Sequence, residues 1–578
     1  MILQDERTTP QTEGTTAPLR SPETVLSSED MNGAWATRHS FARSFLRRAA
    51  AKRWSVDRVR LDLDTGARGT AIYTVHAEGR RLTFIAFCQT LAESERTDRV
   101  IAEAWDVTAA LIEGQLTPER EENLRRNVPL QERGRVDADT LVLTRANRSE
   151  RFFDYVSQCL ASGAQPEAER LGPSPYLIRS TAFYGNGKFG LKEFAGLAAD
   201  HPLAVPYRSQ MLTAWLLREL SIDMVEHVAR ATATRTGTTA VPLDPRWSRY
   251  LGLGNATGLG MVPFVVNHPA YLDAWCRLRE IPLATGLGRD YAPDDPDLGH
   301  VAALLERADH YLEEKQGLQT APFLPPEQIR PQLRQLADEL HAYRDSASVP
   351  TPVLAVLHDR AAGLSPEARG IFASIVIELR TDFDEEAEHL LRVEAGTPFD
   401  PAMPCSDLLR AVKARYGWTG SLDFTDPDRT RYFWFSSAAN EEPRRAHRET
   451  RLQGDAEHCT DVARRVNALA VDLERVAGER TVAEFLLAHP EHRFAAVRVQ
   501  QTRDYRYGEL QDNLVDGRFL PLSTQRFQLA TYGMNNFSPK STDWLRVTLF
   551  SGAPLAADVH DGVDEDDWLF PLAPREVK

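Results

Sequence analysis

Apolar and polar positions change period several times along the chain. Residues 1–30 are rich in Thr, Ser, Pro, Glu and Gln and nearly devoid of large apolar side chains. Such a segment cannot bury enough surface to offset its conformational entropy, and a disordered tail is expected. Ser27-Ser28-Glu29-Asp30 marks the entry to a first helix over residues 34–52. A period of two then takes over. Residues 56–64 alternate apolar with polar side chains as a half-buried strand does. Strands are expected over 70–76 and 81–88 with a hairpin turn at 77–80, and 99–112 and 140–143 extend the sheet. Helices are expected over 118–127 and 150–161.

From residue 171 to 420 the helical period dominates. Helices are expected over 206–233, 269–279, 298–315, 326–344, 352–362, 366–380 and 405–416. Proline recurs at or near their first positions, where the missing amide has no partner in any case. Residues 421–578 return to mixed structure, with strands at 431–435, 495–499 and 545–550 and a helix at 458–476. The class is therefore α+β and multidomain. Strand-rich N-terminal (31–170) and C-terminal (421–578) regions, with antiparallel sheet, flank a large, mainly helical centre (171–420). The pattern leaves open whether the two strand-rich ends are separate or joined.

A chain of 578 residues exceeds what one core usually serves. Its 42% apolar content supplies ample material for burial. The formal charge of −15 disfavours nucleic acid and anionic membranes as partners, since both repel a negative surface. The five cysteines are dispersed and form no CxxC pair, which fits a reducing cytoplasm better than a disulfide framework. Residues 1–14 lack the basic and apolar regions of a secretory signal. No apolar run approaches the ~20 residues of a membrane helix.

Zinc-peptidase HExxH, hydrolase GxSxG, P-loop and EF-hand signatures are all absent. Two glycine-rich segments stand out. Residues 252–260, Gly-Leu-Gly-Asn-Ala-Thr-Gly-Leu-Gly, lack the dinucleotide-binding spacing. They could bring backbone amides, with Asn255 and Thr257, against an anion, or serve as a tight connection between helices. Residues 184–190 hold Asn186 and Lys188, a turn and a cation suited to a phosphate or carboxylate, or an ordinary turn with an exposed lysine.

The expected helix over 206–233 is apolar nearly all round in its first half. In its second half one face bears Glu219, Asp223, Glu226, His227 and Arg230. Ionisable groups on a buried helix must be paired, ligated or catalytic. Asp223 and His227, four apart, fit a shared divalent metal or an acid/base pair, with Glu226 and His268 as further proton-transfer candidates. The plainer alternative is a solvated face of surface ion pairs, with His268 capping or packing. Beyond the strand at 431–435, Ser436, Asn440, Arg444 and Arg445 could orient and clamp a carboxylate or phosphate. An exposed charged loop explains them equally. The expectation is a cytoplasmic metabolic enzyme acting on a small anionic metabolite by acid/base chemistry of lyase or hydrolase type, with or without a divalent metal. A non-catalytic binding or scaffold protein and a cofactor-dependent oxidoreductase are the alternatives.

Overall fold

The structure is a computed structural model. It describes residues 17–95, 104–172, 175–180, 196–258, 262, 265, 268–315, 324–392, 399–426, 431–435, 446–447, 456–458, 461–476, 478–510, 519–534, 536–541, 544–561 and 565–574. Its centre is a nine-stranded sheet. The first five strands, β1 (Ser55–Leu63), β2 (Gly69–Ala77), β3 (Arg80–Cys88), β4 (Val107–Glu113) and β5 (Thr140–Arg148), form an antiparallel meander. Both its faces are buried in β2 and β3, which is why these strands are nearly continuously apolar. Tyr73, Val75, Leu82 and Phe84 enter the main core, while Ile72, Ile85 and Phe87 join a smaller core with Leu124 of the helix Pro118–Asn127. The turn expected at 77–80 is there. Glu78 and Gly79 both take positive φ (49° and 83°), the geometry that matches a two-residue hairpin to strand twist.

β6 (Tyr176–Ser180) continues the sheet, and β7 (Gly252–Gly258) lies parallel to it. Parallel neighbours need a crossover, and the connecting chain carries the 29-residue helix Arg208–Thr236. Residues 252–258 of the glycine-rich segment are thus a strand in the sheet interior, where a loop, either anion-binding or connecting helices, was expected. The distant strands β11 (Asn536–Ser541) and β12 (Trp544–Leu549) complete the order β1-β2-β3-β4-β5-β6-β7-β12-β11. The strand-rich ends therefore meet in one sheet. A separate small sheet pairs β8 (Arg431–Phe435) with β9 (Ala446–His447) and β10 (Ala456–His458).

Arg218 fixes the junction between β7 and the C-terminal strands. It is fully buried on the long helix and donates to the carbonyls of Leu251, Ser248, Arg249, Ala553 and Pro554 at 2.8–3.1 Å. Burial pushes its guanidinium down to about 10. A guanidinium has five N–H donors, so carbonyls alone can satisfy it.

The helical centre forms a second core from Leu283 to Ile377, joined by Trp35, Leu569 and Phe570. A third core, Met403–Val499, draws on the helices Cys405–Tyr416, Asp461–Leu473, Val482–Ala488 and Arg493–Arg503. Residues 495–499, expected as a strand, lie inside the last of these. Ala495, Ala496 and Val499 are its buried positions, a helical spacing that a short apolar run disguises. The expected tail is corrected over residues 17–30. Ser21 and Ser27 cap the helices Pro22–Val25 and Ser28–Gly33 by accepting the Thr24 and Asp30 amides. Val25, Leu26 and Met31 are buried in the main core. Among the described residues no helix is long and apolar enough to cross a membrane.

Candidate functional site

Strand β7 determines which of its residues meet solvent, neighbours or a ligand. Its glycines are required by close approach of protein to protein. A Cβ on Gly252 would fall 2.4 Å from the Thr548 methyl, and one on Gly254 2.5 Å from the Tyr176 ring. The alternate positions, Leu253 and Asn255, face the other way. Asn255 is 3% exposed, and neither its amide oxygen nor its amide nitrogen has a hydrogen-bond partner among the described residues. Leaving such a group unsatisfied costs about 1–3 kcal/mol.

Register places other side chains on the same face. Asn255 pairs with Val547 of β12, which pairs with Phe537 of β11. Over Phe537, at 4.9 Å, lies the guanidinium of Arg526. It comes from the helix Pro521–Tyr532, all twelve residues of which are buried. Half of that helix is polar: Ser523, Thr524, Gln525, Arg526, Gln528 and Thr531. A helix buried on every side is normally apolar. Gln528 donates to the Tyr532 hydroxyl at 3.2 Å, and its side-chain oxygen has no partner among the described residues.

Arg526 also sits 5.9 Å from the Trp35 ring and donates to the Ala34 carbonyl at 3.4 Å. Glu367 approaches it at 4.0 Å, a carboxylate that already accepts from Asn32 and the Leu324 amide. Trp35 meets Tyr311 edge-on at 5.9 Å, and Lys315 lies 4.6 Å from Tyr311 and 5.9 Å from Tyr250, just before β7. Lys315 is 5% exposed. Burial pulls its amine down to about 7, against a smaller opposing pull from Glu314. Burial likewise lowers Arg526, to about 10. A fixed cation, an amine near its titration midpoint at neutral pH, and a buried amide with both hydrogen-bonding atoms free among the described residues are thus linked through Val547, Phe537, Trp35 and Tyr311. Such a set can hold an anion and move a proton.

The acid and histidine stripe of the long helix has other partners. Asp223 accepts from the Tyr73 hydroxyl at 2.5 Å and from Arg58. Its carboxyl is raised, by burial above all, against the pull of Tyr73 and Arg58. Glu226 accepts the Leu243 amide at 3.0 Å and pairs with Arg230. The half-buried His227 meets the Asp64 carbonyl at 2.9 Å through Nε2. The Asp223 and His227 contacts tie the helix to β1, β2 and their turn, five strands or ~24 Å along the sheet from β7, while Glu226 holds the chain that follows the helix. Asp223 and His227 each bind a different neighbour and share no third ligand among the described residues. One turn earlier, Glu219 is raised to about 7 by burial, and one of its oxygens is buried without a hydrogen bond.

His268 precedes the helix Pro269–Gly288 and accepts the Tyr271 and Leu272 amides through its carbonyl, its ring edge-on to Tyr271. Thr257 pairs with Leu545 through its backbone, and its side chain lies outside the described part. Asn186, Lys188, Ser436, Asn440, Arg444 and Arg445 lie outside the described residues.

A cavity beside Ala34, lined by Arg20, Asp30, Arg279, Glu280 and Arg369, encloses about 20 Å³. That is room for a water and not for a metabolite. Its charges pair internally, Arg20 with Glu280 and Asp30, and Arg369 with Asp30.

Sequence reasoning singled out Asn255 and missed Arg526, Gln528 and Lys315. Lys315 closes an amphipathic helix four residues after Tyr311, a spacing that sets cation against ring. That was the available signal. Comparisons with protein-family models, curated proteins and solved structures give no match to this chain.

Proposed function

We propose that the protein is a metabolic enzyme that binds a small carboxylate or phosphate compound at the buried patch of Asn255, Arg526 and Lys315. Arg526 holds the anion, the Asn255 amide orients it, and Lys315 transfers a proton at neutral pH. The observation that carries this reading is the sealed Asn255 amide, unsatisfied by the described residues, on a sheet face shared with a buried guanidinium. A buried amide with nothing to bind is a cost without return, and a ligand removes it. In this reading proton transfer falls to Lys315, because Asp223 and His227 already clamp the helix to β1, β2 and their turn and Glu226 holds the Leu243 amide. The lyase or hydrolase class follows from acid/base chemistry without a nucleophile signature. A reducing, cytoplasmic setting belongs to the same reading and is supported by the free, buried thiols of Cys88, Cys276 and Cys405.

The test is calorimetry and thermal melting with a panel of phosphate, phosphorylated sugars, and mono- and dicarboxylates. At a hundred times its Kd a ligand adds about 2.7 kcal/mol of stability. Binding at pH 8 is expected to take up close to one proton, as the anion recharges Lys315. Repeating the titration in buffers of different ionisation enthalpy measures that uptake. Asn255→Ala should weaken binding and keep the uptake; Lys315→Met should abolish the uptake. The reading fails if no panel member binds, or if both variants bind as the wild type does.

A further inference from the structure

The third core carries a feature unrelated to the anion patch. Thr481 begins the helix Val482–Ala488 with a capping box, its hydroxyl accepting the Glu484 amide while the Glu484 carboxylate accepts the Thr481 amide. The helix ends at His489, and Pro490 starts a single 3₁₀ turn through Glu491 to His492. Both histidine rings stack on Phe485, at 4.8 Å and 26° for His489 and at 5.7 Å and 10° for His492. Phe485 is itself fully buried in the core. Both rings are thus held in place, side by side, against one aromatic platform. Asp472, from the last turn of the helix Asp461–Leu473, reaches across to meet them.

Four ligand atoms converge there. His492 Nε2 lies 2.9 Å from Asp472 Oδ2 and 4.0 Å from Glu491 Oε1, and His489 Nδ1 lies 3.4 Å from Glu491 Oε1. All four residues offer atoms within 4.8 Å of one another. A tetrahedral ion with ligands at about 2.0–2.1 Å holds them roughly 3.3–3.5 Å apart. The observed spacings straddle that value, and small side-chain rotations close the difference. We propose that Asp472, His489, Glu491 and His492 form a site for a divalent transition metal, with zinc the best fit. Two imidazoles and two carboxylates suit zinc in ligand type and number, whereas magnesium and calcium favour all-oxygen sets.

Access matches the role. His492 is nearly buried, whereas the His489 and Glu491 side chains are 35% and 60% exposed, so an ion enters from the solvent side. Bound there, it cross-links the end of one helix to the turn between two others and steadies the Met403–Val499 core. The plainer account, a pair of histidine–carboxylate hydrogen bonds, predicts no metal affinity.

The experiment uses the full chain, stripped by a chelator and titrated with Co²⁺ and then Zn²⁺. The expected result is a visible tetrahedral cobalt spectrum that zinc abolishes, with a rise in melting temperature. His489→Gln and Glu491→Gln replace exposed ligands, and each variant's metal-free melting curve verifies its fold. Each should bind one equivalent fewer than the wild type, or bind it weaker by more than the roughly 10–100-fold that loss of a supporting partner costs. Equal stoichiometry and affinity in wild type and folded variants would overturn the assignment. Absence of the cobalt spectrum from the wild type would overturn it equally.

Discussion

Replacing Lys315 with methionine tests the energetics of the patch independently of any ligand. The amine is sealed between two tyrosine rings, and burial lowers it from 10.5 to about 7. Above pH 10.5 the amine is neutral in both folded and unfolded chains and contributes nothing. Between pH 10.5 and 7 the unfolded chain binds the proton and the folded chain does not, so stability falls as the pH falls. Below pH 7 both are charged and the full cost persists. At 1.36 kcal/mol per pH unit that cost is about 5 kcal/mol. The lost cation–ring contacts return about 0.5–2 kcal/mol of it to the wild type. Methionine matches the length of the chain and carries no charge. Lys315→Met should therefore be more stable than wild type by about 3–4 kcal/mol at pH 6, and the advantage should vanish towards pH 10.5. Urea unfolding at pH 6, 8 and 10 reads this directly. A stability difference that is the same at all three values would refute the argument, since only a buried, titrating amine generates the slope.

Glu219 should show the opposite slope. Its folded carboxyl keeps a proton to about pH 7 while the unfolded one loses it near 4.5, so stability falls as the pH rises between them. Glu219→Gln should match wild type at pH 4 and exceed it by up to about 3 kcal/mol at pH 8, as measured by urea unfolding. Arg218→Met should strand the Ser248, Leu251 and Ala553 carbonyls at the β7 junction, since Pro554 and Arg249 keep donors in Trp215 and Gly552, and cost more than about 3 kcal/mol, visible as a lower urea midpoint or loss of soluble expression. Gly254→Ala should destabilise by driving its methyl into the Tyr176 ring. Adding Tyr176→Leu should recover part of that loss in a double-mutant cycle. Additive losses would show that the ring is not what excludes the methyl.

The elements most legible in the sequence were those whose burial follows one simple period. The hairpin at Glu78-Gly79 and the proline-started helices of the centre are examples. Failures came where tertiary context overrode the pattern. Gly252–Gly258 reads as a loop because glycine is a poor strand former, yet the Tyr176 ring and β12 approach too closely for any side chain. Residues 495–499 read as a strand because five residues cannot separate the two periods. The helix Pro521–Tyr532 carries polar residues on all sides, so no period marked it, and with it Arg526 was missed. Of the site, Asn255 was legible as a polar residue among glycines. Its partners lie 60 to 271 positions away in sequence, at Lys315 and Arg526, and only the fold unites them. The stripe at Glu219, Asp223, Glu226 and His227 was recognised as chemistry on a buried helix. Asp223 and His227 bond across to β1, β2 and their turn, and Glu226 to the Leu243 amide and Arg230, which is how the fold accommodates most of it.

The pairing of β12 with β7 has a consequence for synthesis at the ribosome. Nearly three hundred residues separate the two strands. Throughout that interval β7 presents an open edge, and the carbonyls of Ala553 and Pro554 that Arg218 needs do not yet exist. Open strand edges recruit other chains, and long-range pairings form late. A nascent or truncated chain ending before residue 544 therefore exposes both a sticky edge and a buried-type arginine. It is the species that chaperones should hold longest, and release should coincide with the arrival of β12.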